Sequence, residues 1–309
     1  MIYTVTLNPA LDKTVEISDF KINSVNRVKN TRVDAGGKGI NVSRVINKFG
    51  GNTVALGVLG GNSGRQIIDK LSAENIKNEF LFSDNETRTN IKIVDYNSGT
   101  YTDINESGSI KDEEEIDKLL GGLLERVDEK DIVVFAGSLP NGADPNTYNK
   151  WIKKFGKKGI KVFFDADKNA LKSGIEAKPY FVKPNLDEFS WLVNKSFMTL
   201  IDIRVTAQEL LKSGVKKIAI TMGEGGSLLV SEDGAYYAEP LAIDVKSTVG
   251  AGDSFLAAVA MCEQEGKSDA ETLKFAAAVS SAKVMCEGTD APDSELVEEL
   301  LQRIKISEI

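Results

Sequence analysis

A glycine-rich turn followed by a carboxylate is the feature of this sequence that most directly suggests chemistry. The stretch STVGAGDSF at 247–255 leads into an alanine-rich segment typical of a helix. Gly250, Ala251 and Gly252 can present backbone N–H groups to a phosphate, because the first N–H groups of a helix lack partners and attract anions. Asp253 can either cap this helix or act as a general base. The glycines before it make the second role a serious alternative.

The lack of histidine narrows the chemistry that the chain can carry out. None of the 309 residues is a histidine, which excludes Ser–His–Asp triads, Cys–His pairs and the common zinc sites that use histidine. Acid–base catalysis must therefore come from Asp, Glu, Lys, Tyr or Cys.

Cys262 and Cys286 both lie in apolar helical stretches. We expect them to be buried thiols rather than a disulfide.

A second glycine-rich segment, AGGKGINVSRV at 35–45, directly precedes a predicted helix. Its glycines would let a ligand approach the backbone, and the helix start favours an anion or a polar oxygen. Asn41 then offers both a hydrogen-bond donor and an acceptor. A plain turn leading into a helix is the alternative interpretation.

The segment VKPNLDEF at 182–189 combines a lysine with an amide and a carboxylate three residues apart. Asn185 and Glu188 would share one face of a first helical turn, where they suit Mg²⁺ held partly through water. Lys183 adds a charge that can pair with a phosphate. Alternatively, Asn185 and Glu188 form a capping box, in which each side chain bonds the backbone of the other.

Two more loops follow apolar strands, TMGEGGSLL at 221–229 and GSLPNG at 137–142, and the second contains Ser138. Loops at the carboxyl ends of strands are where α/β proteins bind ligands. Plain strand-to-turn connections are the alternative.

The sequence contains neither a Walker A motif nor a complete Rossmann fingerprint. This argues against a P-loop enzyme and against a nicotinamide dehydrogenase.

Alternation of short apolar runs with amphipathic segments predicts how these motifs are positioned. The sequence predicts buried parallel strands at 53–60, 131–138, 161–166, 180–185 and 216–223, after a first strand from residue 2. Helices are predicted at 39–50, 63–75, 112–127 and 145–159, and the C-terminal third is mostly helical. This order indicates a doubly wound, mostly parallel α/β sheet flanked by helices.

Two stretches, 11–34 and 87–106, alternate apolar and polar residues without a helical pattern, the second across a turn at 97–99. Both are typical of antiparallel strands with one exposed face. We expect them to form a small antiparallel β lid, although an edge extension of the main sheet is the alternative. A further hairpin is predicted to turn at Asp233 and Gly234.

Composition excludes several classes of partner. The net charge of −8 argues against a nucleic-acid-binding protein, and no apolar run reaches the length of about 18 residues that a membrane span needs. The N-terminal stretch lacks the pattern of a signal peptide. We therefore expect a cytoplasmic enzyme that acts on a small molecule.

Together these motifs resemble those of the ribokinase-like PfkB family of carbohydrate kinases. GGKGINVSRVINKFG and STVGAGDSFLA are similar to its two signatures, KPNLDE resembles its Asn-x-x-Glu magnesium motif, and TMGEGG resembles its nucleotide loop. The resemblance covers the chain from end to end. It implies one kinase domain over 1–309, with a discontinuous lid from 11–34 and 87–106.

Further stretches, MIYTVTLNPALD, VNRV and ETRTN, resemble the hexose-phosphate branch of the family. KGINVSRV and DADKNALKSGIEAKPYFVKPN favour the members that phosphorylate fructose 1-phosphate over those that phosphorylate tagatose 6-phosphate. The resemblance thus implies transfer of phosphate from ATP to fructose 1-phosphate, giving fructose 1,6-bisphosphate, with tagatose 6-phosphate as the alternative acceptor. A non-catalytic sensor of sugar phosphates or nucleotides is a remote alternative.

The resemblance also implies a role for each motif residue. Asp253 would be the general base and Gly250, Ala251 and Gly252 the anion hole, while Asn185 and Glu188 would hold Mg²⁺, in part through water. ATP would be bound by Lys183, Thr221, Gly223, Glu224, Gly225, Gly226 and Gly252. The sugar phosphate would be bound by Asp12, Gly37, Gly39, Asn41, Ser138 and Asp253, and its phosphate group by Arg27, Lys38 and Arg88. A homodimer formed through the lid is a further implication.

Overall fold

Short strands alternate with helices along residues 1–286 and 288–309, which are the residues that the computed structural model describes. In chain order the elements are β1 (Ile2–Thr6), β2 (Ala10–Ile17), β3 (Val28–Gly36), α1 (Lys38–Lys48), β4 (Thr53–Gly60), α2 (Gly61–Ala73), β5 (Asn78–Ser83), β6 (Thr89–Asp95), β7 (Thr100–Asn105), α3 (Glu113–Arg126), β8 (Ile132–Ala136), α4 (Thr147–Lys157), β9 (Lys161–Asp165), α5 (Lys168–Ile175), β10 (Phe181–Val182), α6 (Leu186–Val193), α7 (Leu200–Leu211), β11 (Lys217–Thr221), β12 (Ser227–Ser231), β13 (Gly234–Ala238), α8 (Ala251–Glu265), α9 (Asp269–Val284), α10 (Ser294–Arg303) and β14 (Ile306–Glu308). A 3₁₀ turn, Gly223–Gly225, lies between β11 and β12.

Ten of these strands form one large sheet in the order β14-β13-β12-β11-β10-β9-β8-β1-β4-β5. The pairs from β11 through β5 are parallel, and β12, β13 and β14 extend the sheet in antiparallel fashion. The predicted fold class and the predicted β12–β13 hairpin are confirmed. All eight residues of β4 are buried, as expected for a parallel strand covered on both faces.

Helices cover both faces of the large sheet, and the residues of β8 show how one strand serves two cores. Val133 and Phe135 face the layer formed by α3, α4, α5, α6 and α7. Ile132 and Val134 face the opposite layer, formed by α1, α8, α9 and α10. Successive side chains of a strand point to opposite faces, so an unbroken apolar run fills both layers.

The two alternating stretches form a small sheet of their own, in the order β3-β2-β6-β7. The alternative of an edge extension of the large sheet is therefore wrong. β2 and β3 pair antiparallel, as do β6 and β7, but β2 and β6 pair in parallel. The small sheet is thus mixed rather than antiparallel throughout, because its two hairpins join side by side with β2 and β6 running in the same direction.

The structure also tests the expectation of two buried thiols and the expectation that no segment spans a membrane. Cys262 and Cys286 are both free thiols, the first buried and the second only half-buried, so the expectation of complete burial is wrong for Cys286. None of the helices that the structure describes combines the length and the apolar character needed to cross a bilayer.

Candidate active site

Most of the predicted motifs meet where the parallel strands of the large sheet end. Asp165 is the last residue of β9, Lys183 follows β10 directly, and Thr221 ends β11. The first turn of α8 lies against the same edge, because a Cβ placed on Gly252 would lie 3.1 Å from Nζ of Lys183. The carboxyl edge of a parallel sheet is where α/β proteins bind their ligands.

Asp253 is buried in the first turn of α8, with 7% of its surface exposed. Oδ2 of Asp253 accepts a hydrogen bond of 2.8 Å from Nδ2 of Asn41 on α1. The N-cap residue of α8 is Gly250, so the capping role that was the alternative for Asp253 is wrong. Burial raises the pKa of Asp253, and the nearby ammonium group of Lys38 opposes that rise.

Asp165 joins two lysines beside Asp253. Its Oδ1 lies 2.9 Å from Nζ of Lys38, and its Oδ2 lies 2.9 Å from Nζ of Lys183. Burial alone would raise the pKa of Asp165, but the ammonium groups of Lys183 and Lys38 outweigh it and lower the pKa to about 2. Asp165 is therefore ionised at neutral pH and holds two positive charges at the edge of the sheet.

The turn at the start of α8 presents unpaired donors to this cluster. Gly250 adopts a left-handed conformation, with φ of 75°, which favours glycine. Within the described part of the chain, the N–H groups of Gly250 and Gly252 have no hydrogen-bond partner. The N–H group of Ala251 donates to the carbonyl of Thr248 at 3.3 Å. Two of the three predicted anion-binding N–H groups are thus available in this structure.

A buried ammonium group lies on the other side of this turn. Lys283 on α9 is 2% exposed, and its Nζ donates to the carbonyl of Gly288 at 2.6 Å. A Cβ on Gly250 would lie 3.2 Å from Cε of Lys283, so the lysine stem packs directly against the turn. The turn therefore has positive charge on two sides, from Lys183 and from Lys283.

A cleft of about 380 Å³ opens beside the turn, a volume in the range of small-ligand sites. Apolar side chains, including Leu241, Ile243 and Phe255, form much of its wall. The predicted nucleotide-site residues in its lining are Thr221, Gly223, Glu224, Gly226 and Gly252, and Ala251 of the predicted anion hole lies beside them. Gly225 is not part of this lining. Its carbonyl accepts a hydrogen bond of 3.0 Å from the Tyr237 hydroxyl, which holds the turn at 223–226 against β13.

The small sheet contributes a second carboxylate, Asp12 on β2. Oδ1 of Asp12 accepts a hydrogen bond of 2.9 Å from Nδ2 of Asn90 on β6. Burial raises the pKa of Asp12, and the hydrogen bond from Asn90 acts in the opposite direction. A Cβ on Gly36 would lie 2.0 Å from Oδ2 of Asp12, so any larger residue at this position would have to displace that carboxylate.

Gly37 and Gly39 bring the start of α1 against the end of β1. A Cβ on Gly37 would lie 2.6 Å from Cγ2 of Thr6, and a Cβ on Gly39 would lie 2.5 Å from Oγ1 of Thr6. The hydroxyl of Thr6 accepts a hydrogen bond of 3.1 Å from the N–H group of Ile40. Close helix–strand packing thus accounts for both glycines, and their contact with a sugar stays a prediction.

The three basic residues predicted to bind the substrate's phosphate group occupy different surroundings. Lys38 pairs with Asp165, as described above. Arg88 donates from Nη2 to the Asn8 carbonyl at 3.0 Å and from Nη1 to the Glu106 carbonyl at 2.9 Å. Arg27 is exposed between β2 and β3 and forms no ion pair with any described residue. The structure does not bring the three into contact, so their shared role stays a prediction.

Asn8 connects Arg88 to another predicted residue, Ser138. The side-chain amide of Asn8 donates to the Ser138 hydroxyl at 3.2 Å and to the Ser107 carbonyl at 2.9 Å. Ser138 therefore lies beside the strand ends, at the base of the small sheet. Its contact with a substrate stays a prediction.

Asn185 and Glu188 form a capping box at the start of α6. The Glu188 carboxylate accepts from the Asn185 N–H group at 2.9 Å, and the Asn185 amide oxygen accepts from the Glu188 N–H group at 2.8 Å. Oε1 of Glu188 has no protein partner in the described part of the chain. Asn185 is exposed to water. One carboxylate oxygen and an accessible amide fit Mg²⁺ held mainly by water and substrate phosphates.

Sequence reasoning missed four residues that fix this site, although all four lie in stretches that it had singled out. Asp165 ends a predicted strand, where polar residues commonly face a ligand. Asn90 lies in the same ETRTN stretch as Arg88. Asn8 lies in MIYTVTLNPALD and Arg44 in KGINVSRV, but these stretches do not predict their contacts, which join distant parts of the chain.

Comparison with known proteins decides the family. The model of the pfkB family of carbohydrate kinases matches residues 5–296. The chain belongs to the pfkB family of carbohydrate kinases. It is 33% identical to 1-phosphofructokinase from Vibrio cholerae over 306 residues, which are 99% of this chain and 96% of that relative. It is 31% identical to tagatose-6-phosphate kinase from Staphylococcus epidermidis over the full length of both chains.

Comparison with a solved structure shows that the chain also has the fold of a phosphofructokinase-2. Phosphofructokinase-2 from Escherichia coli, in complex with substrates and products, is 30% identical and superposes with a TM-score of 0.93 over 98% of each chain. The protein is accordingly a phosphotransferase of the pfkB family that uses an alcohol group as acceptor.

Proposed function

We propose that this kinase transfers the γ-phosphoryl group of ATP to the 6-hydroxyl of fructose 1-phosphate, giving fructose 1,6-bisphosphate and ADP. The observation that carries the proposal is the position of Asp253. This buried carboxylate lies between a turn with unpaired N–H groups and two lysines held by Asp165. A base, an anion-binding turn and fixed positive charge are what phosphoryl transfer requires.

Asp253 would act as the general base of the reaction. Its carboxylate accepts the proton of the sugar hydroxyl while the hydroxyl oxygen forms a bond to the γ-phosphorus. The bond from that phosphorus to the bridging oxygen breaks, and ADP leaves with the electron pair. The charge of Lys38 and the hydrogen bond from Asn41 both act to lower the pKa of Asp253, so they favour the ionised form that a base needs and oppose the effect of burial.

The charge of the transferring group would be stabilised by groups already in place. The N–H groups of Gly250 and Gly252 have no other partner, and Ala251 can join them by releasing its turn bond to Thr248. Lys183 reaches the same turn and would contact the phosphates of ATP. Because Asp165 holds this lysine, little reorganisation is needed during the reaction.

ATP would lie in the cleft beside α8, with its base among the apolar wall residues and its phosphates toward Gly252. The turn that includes Glu224 and the glycines at 223, 225 and 226 would shape the nucleotide site together with Thr221. Asn185 and Glu188 would hold Mg²⁺, largely through water. The ion would neutralise charge on the nucleotide phosphates.

The sugar phosphate would bind between the strand ends and the small sheet. Asp12 and Asn41 offer hydrogen-bonding groups for the sugar hydroxyls, and Ser138, Gly37 and Gly39 lie beside them. Arg88 and Lys38 are suited to the 1-phosphate group, and Arg27 extends the positive charge from the loop of the small sheet. Exclusion of water by this sheet would prevent hydrolysis of ATP.

We also propose that the chain works as one kinase unit and pairs through its small sheet. Tyr101 and Ile104 are exposed apolar side chains on β7, which is an edge strand of the small sheet. Exposed apolar strand residues of this kind favour pairing with a second copy.

Tagatose 6-phosphate is the second candidate acceptor, because the tagatose-6-phosphate kinase relative matches this chain over its whole length. A coupled assay of ADP release should compare fructose 1-phosphate, tagatose 6-phosphate and fructose 6-phosphate by kcat/KM. We expect fructose 1-phosphate to give the highest value. A higher value for tagatose 6-phosphate would select the second candidate, and no turnover with any of them would refute a sugar-phosphate kinase.

A further inference from the structure

Arg44 on α1 is buried, with 8% of its surface exposed. Its guanidinium group makes four hydrogen bonds within the protein. Its Nε and Nη2 donate to the two carboxylate oxygens of Glu74 at 2.6 and 3.1 Å. Nη2 also donates to the Ala35 carbonyl at 3.0 Å. Nη1 donates to Oδ1 of Asn41 at 2.9 Å. The guanidinium group is therefore fixed on both sides.

The side-chain amide of Asn41 lies between this guanidinium group and Asp253. A guanidinium group can only donate hydrogen bonds, and an ionised carboxylate can only accept them. An amide between them satisfies both neighbours in one orientation, with its oxygen toward Arg44 and its nitrogen toward Asp253. The structure shows that orientation.

We propose that Arg44 is a positioning residue that fixes the amide of Asn41, so that Asn41 always donates a hydrogen bond to Asp253. The inference rests on the proposed role of Asp253 as the general base. It adds a residue that makes no hydrogen bond to Asp253 itself and acts on it through Asn41, and it explains why a buried arginine is held by a carboxylate and a carbonyl at once.

Loss of Arg44 would free the amide of Asn41 to turn over. The amide oxygen would then face the carboxylate of Asp253, and the hydrogen bond that favours the ionised form would be lost. The other charged groups around Asp253 are Lys38, Lys183 and Asp165, and they would remain. The pKa of Asp253 should therefore rise further, with less of the base ionised at a given pH.

The test compares Arg44→Met, Asn41→Ala and the double variant by the pH dependence of kcat/KM with the best sugar phosphate. We expect Arg44→Met to move the acidic limb to higher pH and to lower kcat/KM about tenfold near that limb, less than the ~10²–10⁴-fold worth of a general base. The double variant should show the same pKa of Asp253 as Asn41→Ala alone, because Arg44 acts on Asp253 through Asn41.

The chain offers a matched control in Arg65. This exposed arginine donates to the amide oxygen of Asn62, three residues earlier, as Arg44 does to Asn41. Arg65→Met should leave the pH profile unchanged. If Arg44→Met alone does not fold, Arg44→Met/Glu74→Gln removes both charges of the pair and serves as the second variant.

A readout that needs no activity separates this inference from the proposed function. The ¹³C shift of the Asp253 carboxyl group, followed by NMR during a pH titration, should show a higher pKa in Arg44→Met than in the wild type. An unchanged titration, or additive effects of Arg44→Met and Asn41→Ala, would overturn the positioning role. Absence of turnover in the wild type would instead count against the proposed function.

Discussion

Replacement of Asp165 by asparagine should lower stability strongly, because this buried carboxylate holds the buried ammonium group of Lys183 and the partly exposed one of Lys38. Asp165 is 2% exposed, and its oxygens lie 2.9 Å from Nζ of both Lys38 and Lys183. Burial acts against ionisation, yet Lys183 and Lys38 lower the pKa of Asp165 from 3.8 to about 2. That difference corresponds to about 2 kcal/mol of stability at neutral pH.

The substitution also removes the ion-pair partner of Lys183, whereas Lys38 keeps a longer ion pair of 4.0 Å with Asp167. Lys183 is 4% exposed, so water cannot fully replace the lost partner. Breaking a buried pair by removing one partner typically costs about 3–5 kcal/mol. We therefore expect Asp165→Asn to lower the free energy of unfolding by about 3–5 kcal/mol at pH 7.

Urea unfolding followed by circular dichroism measures this loss. The matched control is Asp103→Asn, because Asp103 pairs with Lys92 on the partly exposed small sheet. An exposed pair contributes about 0–1 kcal/mol. The stabilisation by ionised Asp165 is present above the unfolded pKa and is lost as the pH falls toward about 2. The difference between the wild type and Asp165→Asn should therefore shrink below about pH 4.

Equal losses for Asp165→Asn and Asp103→Asn, or a loss below 1 kcal/mol for the first, would refute the claim that Asp165 anchors the charges of the site. Loss of activity without loss of stability would also refute it. In that case Asp165 would act only in catalysis.

Four further predictions follow from particular contacts. Glu188→Gln should raise the Mg²⁺ concentration needed for half-maximal rate, and an unchanged magnesium titration would argue against the metal role. Gly36→Ala should displace the carboxylate of Asp12 and raise KM for the sugar phosphate by up to about 10²-fold, with little change in KM for ATP; equal effects on both would contradict this. Because burial raises the pKa of Asp253, the acidic limb of the kcat/KM profile should lie above the usual carboxyl range, and a limb at or below that range would be inconsistent with its role as base. If the chain pairs through the small sheet as proposed, Ile104→Asp should convert the proposed dimer to monomers in analytical ultracentrifugation, whereas a monomeric wild type would contradict that pairing.

The strands that were predictable from the sequence are those buried on both faces. Residues 53–60 form an unbroken apolar run because every residue of β4 is packed, so composition and structure agree. β5 at 78–83 was missed because half-buried residues interrupt its pattern with polar ones. β10 has only two residues instead of the predicted six, since the chain turns at Pro184 into α6.

Pairings between distant segments could not be predicted from local pattern. The sequence indicated strands in 11–34 and 87–106, but the parallel register that sets Asp12 opposite Asn90 depends on tertiary packing. The same reason explains why the contacts of Asn8 and Arg44 were missed, since each bonds residues far away in the chain or on another element.

The structure decides two capping alternatives that the sequence left open. Asn185 and Glu188 form the capping box that was the alternative to a metal site, while one carboxylate oxygen stays available for a water-mediated ion. Gly250 rather than Asp253 occupies the N-cap of α8, so Asp253 bonds Asn41 instead of capping the helix. The capping box is compatible with the predicted metal role, and the catalytic role of Asp253 stays a prediction although Asp253 does not cap its helix.

The most direct test of the account is the turnover number of Asp253→Asn with ATP and the best sugar phosphate. The variant should keep its fold and its affinity for ATP, because asparagine preserves the shape of the side chain and can still accept the hydrogen bond from Asn41. We expect kcat to fall by about 10²–10⁴-fold, the usual contribution of a general base. Turnover close to that of the wild type would contradict the assignment of Asp253 as the base.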